Sequence, residues 1–186
     1  KTEAFLQLFE PFGLDIAKKI KNHHEANGGM SRFEKIPIYL EWAEEIPSRT
    51  LINSYSEEFS QKVRQKVIDS KWVPGILDFL QSKKKEQNFF LVTATPQKET
   101  EKILSIIGIK HYFKEVIGAP TKKDNAIKIL LKKYSILPDN SVMIGDSHSD
   151  YNAAKVNNIP FILRRTELNV TLQKSLDCCM IYNFLL

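Results

Sequence analysis

The sequence runs to 186 residues, 42% hydrophobic and 26% charged with a formal net charge of +5, the profile of one globular unit or of a unit carrying a small insertion. Lysines are scattered among carboxylates rather than gathered with aromatic residues into a stripe, which argues against a nucleic-acid partner and leaves a mild positive field suited to an anionic substrate. No apolar run reaches the ~18 residues of a membrane span, and the adjacent pair Cys178-Cys179 outlines neither a disulfide framework nor a zinc site, so a cytoplasmic protein with no membrane partner is expected.

Apolar residues at helical spacing cover 2–9, 14–26, 31–43 and roughly 53–68, with Gly28-Gly29 and Pro47-Ser48 as breaks. These segments predict a small helical bundle. Within it, Ser31 and Glu34 have the Ser-x-x-Glu spacing of a capping box, so helix initiation accounts for both. Near Val73 the pattern changes and strands alternate with helices. Phe89-Phe90-Leu91-Val92-Thr93 is an apolar run ending in a hydroxyl, suited to a buried parallel strand. A helix with Ile103, Leu104, Ile106 and Ile107 follows, then a weaker strand at Glu115-Val116-Ile117. Ala126, Ile127, Leu130, Leu131 and Tyr134 form one apolar helix face. Val142-Met143-Ile144 reads as a strand ending at Gly145-Asp146, and a helix with Ala153, Ala154 and Val156 precedes the strand Pro160-Phe161-Ile162-Leu163. Cys179-Met180-Ile181 supplies a last strand. The expected fold is therefore α/β: a Rossmann-like parallel sheet with helices on both faces over 73–186, and a small α-helical domain over 1–72.

In such sheets functional groups collect where strands end and helices begin. Three polar clusters fall there: Thr93-Ala94-Thr95, Lys122-Lys123, and Gly145-Asp146-Ser147-His148-Ser149-Asp150. Each has an ordinary explanation. Local backbone can satisfy Thr93, Asp146 can cap a helix, and Asp150 can be a first-turn carboxylate favoured by the helix dipole. A lysine at a helix start opposes that dipole and needs another reason. His148 reads as a loop residue, and His23-His24 sits on a helix with no further metal-ligand pattern.

Taken in order, the clusters resemble the haloacid dehalogenase-like hydrolases, in the branch of β-phosphoglucomutase and phosphoglycolate phosphatase. There a hydrophobic strand ends in Thr or Ser, a Lys follows, and Gly-Asp comes last with a second Asp shortly after. Residues 73–80, Val-Pro-Gly-Ile-Leu-Asp-Phe-Leu, are similar to the hinge and helix that lead from the family's cap into its core, so the resemblance covers essentially the whole chain. It implies a phosphatase using Mg2+. Thr93 would donate its hydroxyl to a phosphoryl oxygen, with Ala94 beside the substrate and Thr95 as the competing candidate. Lys123, five places after Gly118, fits the family lysine better than Lys122. Asp146 would be the magnesium ligand, since a hard cation takes carboxylate oxygen and bridges to phosphate, and Asp150 would support the metal site and orient the lysine. The Gly29-Met30-Ser31-Arg32 stretch is similar to a cap loop, which implies that Arg32 and Lys35 meet the distal anionic group of the substrate; a planar guanidinium suits that task.

The family's first motif, Asp-x-Asp at the end of a first strand, is absent. Its two carboxylates act as nucleophile and as general acid and base. A further ~15 to 25 residues upstream would supply one strand and a turn, and the resemblance puts that strand between those ending at Thr93 and Asp146. Without it the chain is expected to be inactive. The expected activity of the parent protein is hydrolysis of a small phosphorylated metabolite, such as a sugar phosphate, through an aspartyl-phosphate. Alternatives are a sugar phosphomutase and a non-catalytic binding or regulatory relative. The sequence sets no oligomeric state.

Overall fold

The computed structural model describes residues 1–185. The chain divides into two compact units, Lys1–Ser70 and the remainder from Lys71 on, and no described helix is long and apolar enough to cross a membrane.

The first unit is four helices: α1 (Thr2–Phe9), α2 (Leu14–Ala26), α3 (Arg32–Trp42) and α4 (Arg49–Ile68). The capping box expected at Ser31 forms, with the Ser31 amide donating to Glu34 Oε2 at 3.0 Å. Ser48 caps α4 by accepting from the Leu51 amide, so this helix starts one turn before the expected 53. Phe5, Phe9, Ile20, Ile36, Tyr39, Leu40, Phe59 and Val63 fill the bundle core. Edge-on packing of Tyr39 against Phe5 at 5.2 Å and Phe9 at 5.7 Å fixes its rings in the arrangement that aromatic quadrupoles favour.

The second unit alternates α5 (Ile76–Lys83), β1 (Phe89–Pro96), α6 (Gln97–Ile106), β2 (Phe113–Ala119), α7 (Lys123–Lys133), β3 (Met143–Gly145), α8 (His148–Val156), β4 (Phe161–Arg164), α9 (Val170–Ser175) and β5 (Cys179–Ile181). Every strand pairing is parallel, and helices flank the strands, as the alternation predicts. The strands form two sheets rather than one: β1 pairs with β2, and β3–β4–β5 make a separate three-stranded sheet. β1 and β3, the pair between which the resemblance leaves a strand absent, do not pair with each other. Ile127, Ala153, Ala154 and Ile159 pack into an apolar cluster with Met143 and Phe161 beneath it, and Leu163 in β4 is wholly buried. Burying one such leucine contributes about 2 kcal/mol.

Several boundaries differ from expectation. β1 does not stop at Thr93 but continues to Pro96, with a register shift against β2 between Val92 and Pro96. β2 extends beyond Glu115–Ile117 at both ends. Val142 stands outside β3 and is exposed. The six-residue α9 has too short an apolar pattern to be recognised from spacing.

Candidate active site

The register shift in β1 aims the first cluster. Beyond Val92, the Gln97 side chain takes over ladder bonding: its Oε1 accepts from the Gly118 amide at 2.5 Å and its Nε2 donates to the Val116 carbonyl at 3.0 Å. Gly118 must lack a side chain here, because a Cβ would meet the Thr95 carbonyl oxygen at 2.6 Å. Such bulges bend a strand and redirect a side chain. Thr93, inside the shifted stretch, accepts a hydrogen bond from the Thr95 amide at 3.1 Å, the local satisfaction that the ordinary reading anticipates. That bond occupies a lone pair of the hydroxyl and leaves its hydrogen available to donate.

Lys123 is the first residue of α7 and Lys122 its exposed N-cap. The cation at the unfavourable end of the helix dipole has a partner: Lys123 Nζ lies 2.5 Å from Asp150 Oδ1, with side chains only 13% and 8% exposed. Asp150 also caps α8 reciprocally with Ser147. Its Oδ2 accepts from the Ser147 amide at 3.1 Å and from the Ser147 hydroxyl at 2.6 Å. Asp150 thus contacts Lys123 through one carboxylate oxygen and Ser147 through the other, in the first turn of α8. Gly145 makes room for it, since a Cβ there would stand 2.4 Å from the Asp150 Cβ.

Thr93, Lys123, Asp146 and Asp150 line one cavity of about 310 Å³, together with Val92, Ile144, Gly145, Arg164 and Phe184. This volume lies in the range of small-molecule sites, and its walls mix apolar side chains with a few converging polar groups. Asp146 is exposed, and its carboxylate has no hydrogen-bond or ion-pair partner among the described residues. The set suits a hard divalent cation such as Mg2+ in part. Magnesium is held by one or two carboxylates plus substrate phosphate and water, and Asp146 offers one carboxylate; no group of three or more potential ligands occurs among the described residues.

Ala94 lies in β1 but is not one of the cavity-lining residues, nor is the exposed His148. Arg32 and Lys35 belong to the helical unit, 5% and 1% exposed. The Arg32 guanidinium donates to the Ser56 carbonyl at 3.3 Å and to the Ser60 hydroxyl, and lies 4.6 Å over the Phe59 ring. Lys35 Nζ donates to His24 Nδ1 at 2.8 Å. Burial, followed by the Lys35 charge, pushes His24 down to about 3, and burial, followed by the Lys1 charge, lowers Lys35 to about 8.

Two residues escaped the sequence reading. Asn169, 8% exposed, donates from one amide nitrogen to the carbonyls of both Asp146 (2.8 Å) and Arg164 (2.9 Å), tying together the segments that follow β3 and end β4. Its Oδ1 accepts from the Thr166 amide at 2.9 Å and from Gln173 Nε2 at 2.7 Å. The Thr-x-x-Asn spacing of a capping box was its one visible signal. Arg164 offered only its place at the end of a strand.

The sequence model of haloacid dehalogenase-like hydrolases matches residues 2–163. A phosphoglycolate phosphatase of Vibrio vulnificus (strain YJ016) is 41% identical over 70 residues, 35% of this chain and 31% of the relative. That of Mannheimia succiniciproducens is 28% identical over 127 residues, 62% of this chain and 56% of the relative. The chain thus matches between about a third and somewhat over half of the length of these relatives. A β-phosphoglucomutase from Clostridium difficile has the same fold, with a TM-score of 0.75 at 20% identity over 98% of this chain and 82% of its own. On the match to 2–163, the chain belongs to the haloacid dehalogenase-like hydrolases.

Proposed function

We propose that this chain belongs to a magnesium-dependent phosphatase that hydrolyses a small phosphorylated metabolite through an aspartyl-phosphate, with Thr93, Lys123, Asp146 and Asp150 as this chain's contribution to the site. The observation that carries the reading is the convergence of Thr93, Lys123, Asp146 and Asp150 on one cavity. The names of the phosphoglycolate phosphatases it resembles support the substrate class. In this reading residues 1–72 are the cap and 73–186 the core, and the free Cys178 and Cys179 are in keeping with a cytoplasmic protein.

Phosphoryl transfer demands in-line positioning and neutralisation of the charge on the phosphoryl oxygens. The Thr93 hydroxyl would donate to one of those oxygens. Lys123, held by Asp150, would bring a cation to another while staying fixed in direction. Asp146 would hold Mg2+, which supplies charge neutralisation at the phosphoryl group when bound. A carboxylate from a strand seated between β1 and β3 would attack phosphorus, releasing the alcohol, and water would then cleave the aspartyl-phosphate to carboxylate and inorganic phosphate.

The test is phosphate release from a panel of small phosphate esters by the protein as its cell makes it, with and without Mg2+. Metal-dependent release that Asp146→Asn abolishes is the expected result; full activity in Asp146→Asn, or none with any ester, counts against the assignment. The fold likeness to a β-phosphoglucomutase favours a second reading as a sugar phosphomutase. Isomerised sugar phosphate, with little free phosphate, would mark that activity.

A further inference from the structure

The phosphatase reading leaves one charged residue of the cavity lining, Arg164, without a task. Arg164 ends β4, where Leu163 points into the core and Ile162 and Arg164 take the opposite face. Arg164 lines the cavity that Thr93, Lys123 and Asp146 also line. Its Nε is buried and has no hydrogen-bond partner. A buried donor left unsatisfied costs free energy that a folded protein ordinarily avoids. Arg64, in the helical bundle, shares this trait, so an orphaned Nε is not by itself a site. What separates Arg164 is its company.

Among the charged residues of the cavity, Lys123 and Asp150 neutralise each other at 2.5 Å. Arg164 and the Asp146 carboxylate are left, and no ion pair joins them among the described residues. The backbone is built to keep both where they are. Asn169, buried and with every polar atom of its amide engaged, accepts and donates four hydrogen bonds, two of them to the carbonyls of Asp146 and Arg164 themselves. A guanidinium presents a planar fork of donors matched to two oxygens of a phosphoryl group or a carboxylate, and it is more weakly hydrated than an ammonium, so it tolerates a half-buried site.

We propose that Arg164 is an oxyanion-binding residue of this cavity, donating to phosphoryl oxygens of the ligand from the side of β4, while Thr93 serves the side of β1. The inference rests on the phosphatase reading and extends it. It gives the site a fixed cation independent of the Lys123–Asp150 pair. The ligand class is a phosphate monoester whose phosphoryl oxygens outnumber what Thr93 and Lys123 can satisfy.

Inorganic phosphate is the probe, titrated by calorimetry in the presence of Mg2+ into the protein as its cell makes it, with Arg164→Met, Arg164→Lys and Thr93→Val compared to the unsubstituted protein. Thermal melts without phosphate confirm that each variant is folded, and Arg164→Met keeps the backbone carbonyl that Asn169 holds. Arg164→Met is expected to weaken phosphate binding at least 10-fold, with Arg164→Lys recovering only part of it because an ammonium cannot fork. Unchanged phosphate affinity in Arg164→Met, with Thr93→Val weakened, overturns the proposal and leaves the phosphatase reading standing. Tighter Mg2+ binding with unchanged phosphate affinity also overturns it, since Arg164 would then be a counter-ion to Asp146. No saturable phosphate binding to the unsubstituted protein overturns both.

Discussion

Replacing Asp150 by Ala removes two arrangements at once. The first is the cap on α8, in which Oδ2 accepts from the Ser147 amide and hydroxyl; losing a cap costs about 1 kcal/mol. The second is the partner of Lys123, whose side chain is 13% exposed. Breaking a buried pair from one side costs about 3–5 kcal/mol because the remaining charge stays desolvated. Lys123 borders a cavity open to water, which favours the lower end, about 3 kcal/mol. The sum is a loss of about 4 kcal/mol, read as a lowered urea midpoint at unchanged slope. Adding Lys123→Met to Asp150→Ala removes the stranded cation and should restore about 3 kcal/mol, leaving mainly the cap deficit of about 1 kcal/mol. A single-variant loss under about 1 kcal/mol, or a double variant no more stable than the single, would refute the reasoning.

Gly75 takes φ +80 and its Cβ position lies 2.4 Å from the Phe184 carbonyl carbon, so Gly75→Ala should cost at least about 1–2 kcal/mol from the left-handed backbone alone and should also displace Phe184 from the cavity wall. A thermal melt superimposable on the parent would contradict this. In the helical unit, Lys35 titrates near 8 when folded against 10.5 when unfolded, so the unfolded chain binds more protons between those values and stability rises with pH across that window. Burial raises the Tyr39 phenol, which opposes this gain above pH ~10. Between pH 8 and 10 the urea midpoint should therefore climb, the full Lys35 contribution being on the order of 3 kcal/mol, and should stay flat in Lys35→Met. A flat parent profile would show that Lys35 is not desolvated. His24, near 3 when folded, works in the same direction at acid pH: stability is lost as pH falls from 6.5 toward 3, and His24→Gln should reduce that slope. An equal slope in the variant would remove His24 as its cause.

The parts of the site that could be read in advance were those encoded by local pattern. The clusters at Thr93, Lys122-Lys123 and Gly145-Asp146 with Asp150 could be placed at strand-to-helix turns from pattern, whereas the choice of Lys123 over Lys122 and the role of each residue came from the family resemblance. The path of β1 beyond Thr93 was not readable, because it depends on Gln97 replacing ladder bonds to residues 19 and 21 positions away. Asn169 was missed for a related reason: its hydrogen bond to Asp146 spans 23 residues and leaves no periodic trace. The division into two sheets follows from which strands find partners, a property of topology rather than of any one strand. At Ser31 and Glu34 the capping spacing gave the local structure, yet the same stretch could not reveal that Arg32 and Lys35 are internal. Their burial comes from the Phe59 ring, the Ser56 carbonyl and His24, all contributed by other helices.

The central claim is that one cavity gathers a phosphoryl group and a divalent cation. A crystal grown with phosphate and Mn2+ in place of Mg2+ tests it most directly, because manganese scatters anomalously. The account predicts an anomalous peak at the Asp146 carboxylate, with phosphate within hydrogen-bond distance of Thr93 Oγ1 and Lys123 Nζ. Manganese and phosphate bound elsewhere, with these side chains facing only water, would contradict it.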